Sequence, residues 1–111
     1  MDRSQLLRGA LDGAVLAVTD REDAYGYDVL RRLRVAGLTE VGDASVYGTL
    51  RRLYAAGSLT SYMVPSEEGP ARRYYGITDR GREQLAQARE VWTEFSQALT
   101  ALLDSEVEAA R

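Results

Sequence analysis

An unbroken heptad repeat near the C-terminus is the feature that most constrains the fold of this chain. Apolar or small residues alternate there at intervals of four and three, at Gly81, Leu85, Ala88, Trp92, Phe95, Leu99 and Leu102. This spacing predicts one helix, from an N-cap at Thr78 to about Leu103, with a continuous apolar stripe. A stripe that holds the only Trp and the only Phe of 111 residues needs a covering surface. We expect a second copy of the chain to cover it; the alternative is the first helix of its own chain.

The composition argues against enzyme chemistry. All 14 basic residues are arginine, and the sequence contains no lysine, histidine or cysteine. The usual general base, thiolate nucleophile and zinc ligands are therefore missing, so we expect neither an enzyme nor a cofactor. No segment has the pattern of a signal peptide or of a membrane-spanning helix. A cytoplasmic location is expected, which also suits a chain without cysteine.

The distribution of charge differs from the net value of −3. Residues 44–82 carry six arginines against three acids, whereas residues 83–111 carry two arginines against six acids. A basic middle segment is thus concealed by an acidic C-terminal segment. This segment suits a polyanionic partner such as DNA, the alternative being ordinary solvated surface charge.

Apolar residues at helical spacing predict three helices before the long one, over about residues 4–18, 25–36 and 43–56. The second and third end alike, in RVAGL and YAAGSL, where a glycine follows a small residue and a leucine comes shortly after. This pattern is typical of a left-handed glycine that closes a helix end beside a hydrophobic contact. Gly37 and Gly57 are expected to end these two helices.

Two short segments with strand character follow the third helix. LTSYMV at 59–64 and RRYYGI at 72–77 lose helical spacing and are rich in β-branched and aromatic residues. The intervening PSEEGPA holds two prolines and a glycine and predicts a turn. Together these segments predict a β-hairpin over about residues 59–77.

The order of elements predicts a mainly α fold with a small β-hairpin (α+β), in which a helix-turn-helix is followed by a hairpin wing. We expect a winged helix-turn-helix DNA-binding domain at 1–78, a dimerisation helix at 79–104 and a disordered tail at 105–111. Such a module places its third helix in the major groove and its hairpin over the DNA backbone or minor groove. Other winged modules bind only proteins, so a protein-interaction module is the alternative.

Several motifs, in the same order and spacing, resemble those of the PadR family of bacterial transcriptional regulators over nearly the whole chain. These are YGYD at 25–28, SVY at 45–47, LRRL at 50–53 with its following glycine, and GPARRYYGIT at 69–78. The resemblance implies a dimeric winged-helix repressor. A single helix after the wing resembles the short-tailed branch, some members of which bind planar aromatic drugs between subunits.

The sequence departs from the family pattern at two positions of helix three. Many relatives have Pro and Glu where this chain has Gly48 and Tyr54. A glycine within a helix costs about 1 kcal/mol relative to alanine. Gly48 either lets the helix approach DNA closely or merely replaces a tolerated proline.

The first turns of helix three are expected to face base edges, and its arginines to reach phosphate or a guanine edge. Alternatives are that Tyr47 packs against helix two and that Arg52 forms a surface ion pair. On the wing, alternation places Arg72 on the face directed at DNA, whereas Arg73 shares the core face with Tyr75 but lies near the strand end. The predicted DNA-binding residues are Tyr25, Ala44, Ser45, Tyr47, Gly48, Thr49, Arg51, Arg52, Arg72 and Arg73.

Helix one carries two glycines four residues apart, which lie on one face. They indicate close approach of another helix or a hollow beside helix one. We predict an aromatic-ligand pocket at the dimer interface, with an acidic residue suited to a cation, lined by Gly9, Asp12, Gly13, Leu16, Leu85, Ala88, Trp92 and Phe95. The alternative is that Trp92 simply fills the dimer core. Dimerisation is assigned to Leu85, Ala88, Trp92, Phe95, Leu99 and Leu102.

Overall fold

The computed structural model describes residues 2–105 as four helices and a three-stranded antiparallel sheet. In chain order the elements are α1 (Ser4–Arg21), β1 (Ala24–Tyr25), α2 (Gly26–Val35), α3 (Asp43–Ala55), β2 (Leu59–Ser66), β3 (Gly69–Ile77) and α4 (Asp79–Leu103). This order confirms the predicted α+β fold with a long C-terminal helix. Of the predicted disordered tail at 105–111, all but Ser105 lies outside the described residues.

The first three helices enclose the core because each turns its apolar face inward. Leu16, Leu33 and Leu50, one from each helix, are among the largest fully buried side chains. The predicted helix ends are confirmed, since Gly37 and Gly57 adopt φ of 112° and 82°. In each case a backbone N–H beyond the glycine reaches back to a leucine carbonyl, from Leu38 to Leu33 at 3.0 Å and from Ser58 to Leu53 at 2.9 Å. Both helices thus end in the expected left-handed turn.

The sheet contains one strand that the sequence did not predict. Strand β1 is only two residues long and pairs with β3, with Tyr25 opposite Tyr74. Placing Tyr25 in the second helix was therefore wrong: its backbone is extended, and α2 begins at Gly26. The hairpin has the predicted extent, but its strands are longer and its turn is shorter than predicted, because Gly69 and Pro70 belong to β3 rather than to the turn.

A compact joint connects α3, the hairpin and α4. The Thr78 hydroxyl accepts a hydrogen bond from the Gly81 backbone N–H at 3.1 Å, which confirms the predicted N-cap of α4, and donates to the Gly57 carbonyl at 2.7 Å. Gly81 lies so close to the Ser58 carbonyl that a Cβ there would overlap it, and it would also come within 2.7 Å of Ile77 Cγ1. The start of α4 is thus fixed against the end of α3.

The heptad stripe of α4 divides into a covered and an uncovered part. Leu85 is buried, and Ala88 packs on α1, where a Cβ at Gly13 would lie 3.2 Å from the Ala88 Cβ. Beyond this contact Trp92 and Phe95 are 51% and 53% exposed, and the stripe stays exposed to its end. Packing of α4 against α1 of the same chain therefore covers only the first part of the heptad stripe. No helix among residues 2–105 combines the length and apolarity needed to span a bilayer.

An ion pair connects the start of α1 to the loop between α2 and α3. Arg3 donates to both carboxylate oxygens of Glu40, at 2.5 and 2.7 Å, and to the Gly37 carbonyl at 2.6 Å. The hydrogen bonds from Arg3 to this carboxylate, together with one from the Glu40 backbone, lower the pKa of Glu40 from 4.5 to about 2.

We expect Glu40→Gln to flatten the acid limb of the stability profile. A carboxyl with a depressed folded-state pKa contributes stability above its unfolded pKa and loses it as pH falls. The contribution of Glu40 should therefore be complete above its ordinary pKa of 4.5 and disappear as pH approaches about 2. Urea unfolding from pH 6 to 2.5 measures it, with Glu68→Gln at the hairpin turn as control. Equal pH dependence in wild type and Glu40→Gln would refute the effect.

Candidate nucleic-acid interface

The first turns of α3 present a short exposed surface. Ala44, Ser45 and Tyr47 are exposed and Gly48 is half-buried, as a helix face turned to a groove requires. Thr49 does not belong to this surface, because it is only 4% exposed and lies with Val46 and Leu50 on the inner side of the helix. The prediction that Thr49 faces base edges is therefore wrong, because its side chain is buried.

Tyr47 contacts the start of α2 while keeping 37% of its surface exposed. Its ring lies so close to Gly26 that a Cβ at that position would overlap the ring. The alternative that Tyr47 packs against helix two is therefore correct for one side of its ring, while the other side stays exposed. Gly26 permits this contact, and the contact in turn fixes where the exposed part of Tyr47 lies.

The two arginines of α3 differ in their partners. Arg52 donates to both carboxylate oxygens of Asp12 on α1, from Nη1 at 2.8 Å and from Nη2 at 2.9 Å, and this contact raises the pKa of Arg52. The surface ion pair considered as the alternative for Arg52 is therefore present. Arg51 is exposed and has no salt-bridge partner within residues 2–105.

On the wing, Arg72 lies over one ring of a cluster of three tyrosines. Its guanidinium carbon is 4.6 Å from the ring centre of Tyr25, within the range of a cation–π contact. The Tyr74 ring lies 5.5 Å from Tyr25 and 6.0 Å from Tyr62, centre to centre. Tyr25, predicted to contact DNA, thus supports Arg72 in this structure. The cluster was missed because it depends on the pairing of β1 with β3.

A carboxylate completes this tyrosine cluster. The Tyr62 hydroxyl donates a hydrogen bond to Asp23, which raises the pKa of Tyr62. Gly76 provides the space for this carboxylate, since a Cβ there would lie 2.8 Å from Asp23 Oδ1. The loop before β1 is thereby attached to the wing.

The opposite face of β3 follows the predicted alternation. Tyr75 is buried and Ile77 packs against the core, whereas Arg73 is exposed at the middle of β3, so its expected position near the strand end is wrong. Arg73 donates to the Ser61 hydroxyl at 3.0 Å. Arg72 and Arg73 have no acidic partner within residues 2–105, so their positive charge remains available.

A cavity of about 640 Å³ lies between α1 and α4, beside the uncovered stripe. Of the eight predicted lining residues, seven lie around it: Gly9, Asp12, Gly13, Leu85, Ala88, Trp92 and Phe95. The prediction that Leu16 lines the cavity is wrong, because Leu16 points from α1 into the core and is fully buried. The two glycines also differ. Gly13 allows the contact with α4, whereas nothing lies within 4 Å of a Cβ at Gly9, which borders the hollow.

Comparisons with known proteins agree with this arrangement. A PadR-like regulator from Bacillus cereus is 36% identical, with a TM-score of 0.80 over 90% of this chain and 97% of its own. A PadR family regulator from Eggerthella lenta is 31% identical, with a TM-score of 0.82 over 91% of this chain and 88% of its own. An uncharacterized protein of Lysinibacillus sphaericus is 26% identical over 94% of this chain and 97% of its own.

The family assignment rests on most of the described chain. The family model for PadR-like transcriptional regulators matches residues 15–87, from the middle of α1 through the start of α4. That segment contains the helix-turn-helix and the wing. Its members are DNA-binding regulators rather than enzymes, and the chain belongs to the PadR-like family of transcriptional regulators.

Proposed function

We propose that the protein is a dimeric repressor that binds a pseudo-palindromic DNA operator. The observation that supports this most directly is the exposure of hydroxyl, tyrosine and arginine groups on the first turns of α3 and on the wing. Ala44, Ser45, Tyr47 and Gly48 would face base edges, as in other helix-turn-helix proteins. Two copies of α3, related by a two-fold axis, would read two half-sites.

Arginine would supply the contacts to the DNA backbone. Arg51, Arg72 and Arg73 are exposed and have no salt-bridge partner among residues 2–105. Tyr25 restricts the side chain of Arg72, so that less conformational freedom is lost when the guanidinium meets a phosphate. We assign Arg72 and Arg73 to phosphate and Tyr47 to base recognition.

Substitutions on these two parts should have different effects on DNA binding. Arg72→Ala should weaken binding to specific and random duplexes alike, about tenfold at moderate salt, and reduce the salt slope by about one. Tyr47→Ala should instead reduce the preference for the specific site. Fluorescence anisotropy with DNA upstream of the protein's own gene and with a random duplex measures both.

Arg80→Ala at the start of α4 is the control, because it removes the same charge beside Gly57, at the opposite end of α3 from its first turns. If the wild-type dimer binds neither duplex in a salt-dependent way, repression through this surface is refuted. A protein-interaction role for the winged helix would then be favoured.

We also propose that the cavity between α1 and α4 binds a planar aromatic effector at the dimer interface. Trp92 and Phe95 have ring centres 6.2 Å apart beside the cavity and supply an aromatic wall. A planar cationic drug should quench the fluorescence of the single tryptophan. Trp92→Leu with Phe95→Leu should weaken drug binding at least tenfold by calorimetry. Unchanged emission across a panel of dyes and drugs would refute the cavity as a drug site.

A location follows from this proposal. A repressor must meet its operator, so we place the protein in the cytoplasm, associated with the nucleoid. Fluorescence microscopy of a tagged chain should show the signal over the chromosome.

A further inference from the structure

One ion pair connects the proposed DNA surface with the proposed ligand cavity. Asp12 lies on α1 and lines the cavity beside α4, and it also lines a second cavity between α1 and α3. Arg52, on α3, lines that second cavity. Their side chains are 38% and 60% exposed, so both stay accessible to a competing partner.

The ion pair occupies the carboxylate that a cationic ligand would need and the guanidinium that a DNA phosphate would need. Both oxygens of Asp12 accept hydrogen bonds from the two terminal nitrogens of Arg52. A cation in the α1–α4 cavity therefore meets a carboxylate that is already neutralised. A phosphate beside α3 likewise meets a guanidinium whose terminal nitrogens already point at α1.

We propose that the Asp12–Arg52 pair is a latch that couples the ligand cavity to DNA binding, an inference that rests on the function proposed above. When a cationic ligand binds the carboxylate of Asp12, Arg52 becomes free to bind a DNA phosphate. When DNA takes Arg52, Asp12 is released towards the ligand. A neutral ligand does not act through this pair.

The sign of the coupling follows from the shared step. The cation and the DNA each bind only after the Asp12–Arg52 ion pair has opened. The first to bind supplies the free energy of opening, so the second does not have to. Each therefore strengthens the binding of the other by the same factor. For a pair this exposed the factor is about two- to fivefold. Through this pair, a cationic effector promotes DNA binding rather than releasing it.

The ligand half of the latch can be tested without DNA. Trp92 fluorescence is followed while tetraphenylphosphonium, or the anion tetraphenylborate of the same shape, is added to the full-length protein. Arg52→Gln should tighten binding of the cation about two- to fivefold and not that of the anion. Arg82→Gln is the matched control, because it removes an arginine that pairs with a different α1 carboxylate, Asp20, at 3.5 Å.

A double-mutant cycle separates the latch from a general change in charge. In an Asp12→Asn background, Arg52→Gln should no longer affect cation affinity. The ligand half is overturned if Arg52→Gln matches Arg82→Gln, if its effect persists without Asp12, or if neither wild type nor Arg52→Gln binds the cation.

The DNA half is tested with a random-sequence duplex of about 30 base pairs, long enough for two half-sites. Asp12→Asn should bind it about two- to fivefold more tightly than wild type, with a salt slope steeper by about one phosphate contact. Asp20→Asn, the same charge change on the same helix, should not. Adding Arg52→Gln to Asp12→Asn should abolish the gain. Equal behaviour of Asp12→Asn and Asp20→Asn would overturn this half.

These measurements also separate failure of the latch from failure of the proposed function. If wild type binds no duplex at all, repression fails, while the cation titrations still report on the pair. If DNA binds and tetraphenylphosphonium strengthens binding equally in wild type and Asp12→Asn, the latch fails and the DNA-binding function stands.

Discussion

Phe95→Glu is expected to convert the proposed dimer to a monomer at micromolar concentration. The substitution places a carboxylate in the middle of the uncovered stripe of α4, where a second copy would bring its own carboxylate nearby. Burying unpaired like charges in an apolar contact costs several kcal/mol, which corresponds to a dimer dissociation constant at least about 100-fold higher. Sedimentation velocity over a concentration series measures the change.

DNA affinity should fall together with dimerisation, because two connected half-site contacts become independent ones. Gln97→Glu is the matched control: it adds the same charge to the same helix, on an exposed position two residues away and outside the stripe. It should leave the dimer intact. If Phe95→Glu dimerises like Gln97→Glu, the stripe is not the contact between copies.

Gly81→Ala is expected to destabilise the fold by about 3 kcal/mol, although it adds only one methyl group. The new Cβ would overlap the backbone carbonyl of Ser58 and come within 2.7 Å of Ile77 Cγ1. A backbone carbonyl cannot rotate away as a side chain can, so the joint between α3 and α4 must shift. The melting temperature should fall by roughly 10 °C or more at equal protein concentration.

Gly48→Ala is the control for this prediction. It makes the same change within a helix, but the nearest atom to the new Cβ is a terminal nitrogen of Arg51 at 4.0 Å. The protein should become more stable by up to about 1 kcal/mol, because glycine is the poorer helix former. Equal melting temperatures for wild type and Gly81→Ala would contradict the close contact at the joint.

Local rules predicted the helix ends, the inward faces and the start of α4 from the sequence. Gly37 and Gly57 each follow a small residue and precede a leucine, and the resulting turn depends only on neighbours in the chain. The threonine that caps α4 is likewise three residues from the glycine whose N–H it accepts. Where the determining contacts join residues no more than five positions apart, the sequence pattern alone was sufficient.

What the sequence did not predict depends on contacts between distant segments. Tyr25 was assigned to a helix because its spacing fits one, whereas pairing with Tyr74 holds it extended. The partner of Arg52 lies 40 residues away on α1. A stretch of two residues has no period to detect, and an ion pair between two helices leaves no trace in either helix alone.

Burial within a helix was the other source of error. Thr49 is predicted to face DNA and Leu16 to line the ligand pocket, yet each points into the core. Helices α1 and α3 are each covered by neighbours on more than one side. The buried part of each helix surface is therefore wider than its apolar residues alone indicate. Spacing locates the centre of a helix face, whereas its edges depend on how the neighbouring helices are arranged.

In the proposed dimer, the joint at Thr78 would make the helix-turn-helix and α4 of each copy move together. Because the start of α4 is held to the end of α3, a rotation at the proposed seam between two copies would move α3, the proposed recognition helix, with it. The displacement of α3 would grow with its distance from the seam, and a shift of about 3.4 Å equals the rise of one base pair. The packing of the C-terminal stripe, far from any nucleotide, would therefore set the operator spacing that the dimer accepts.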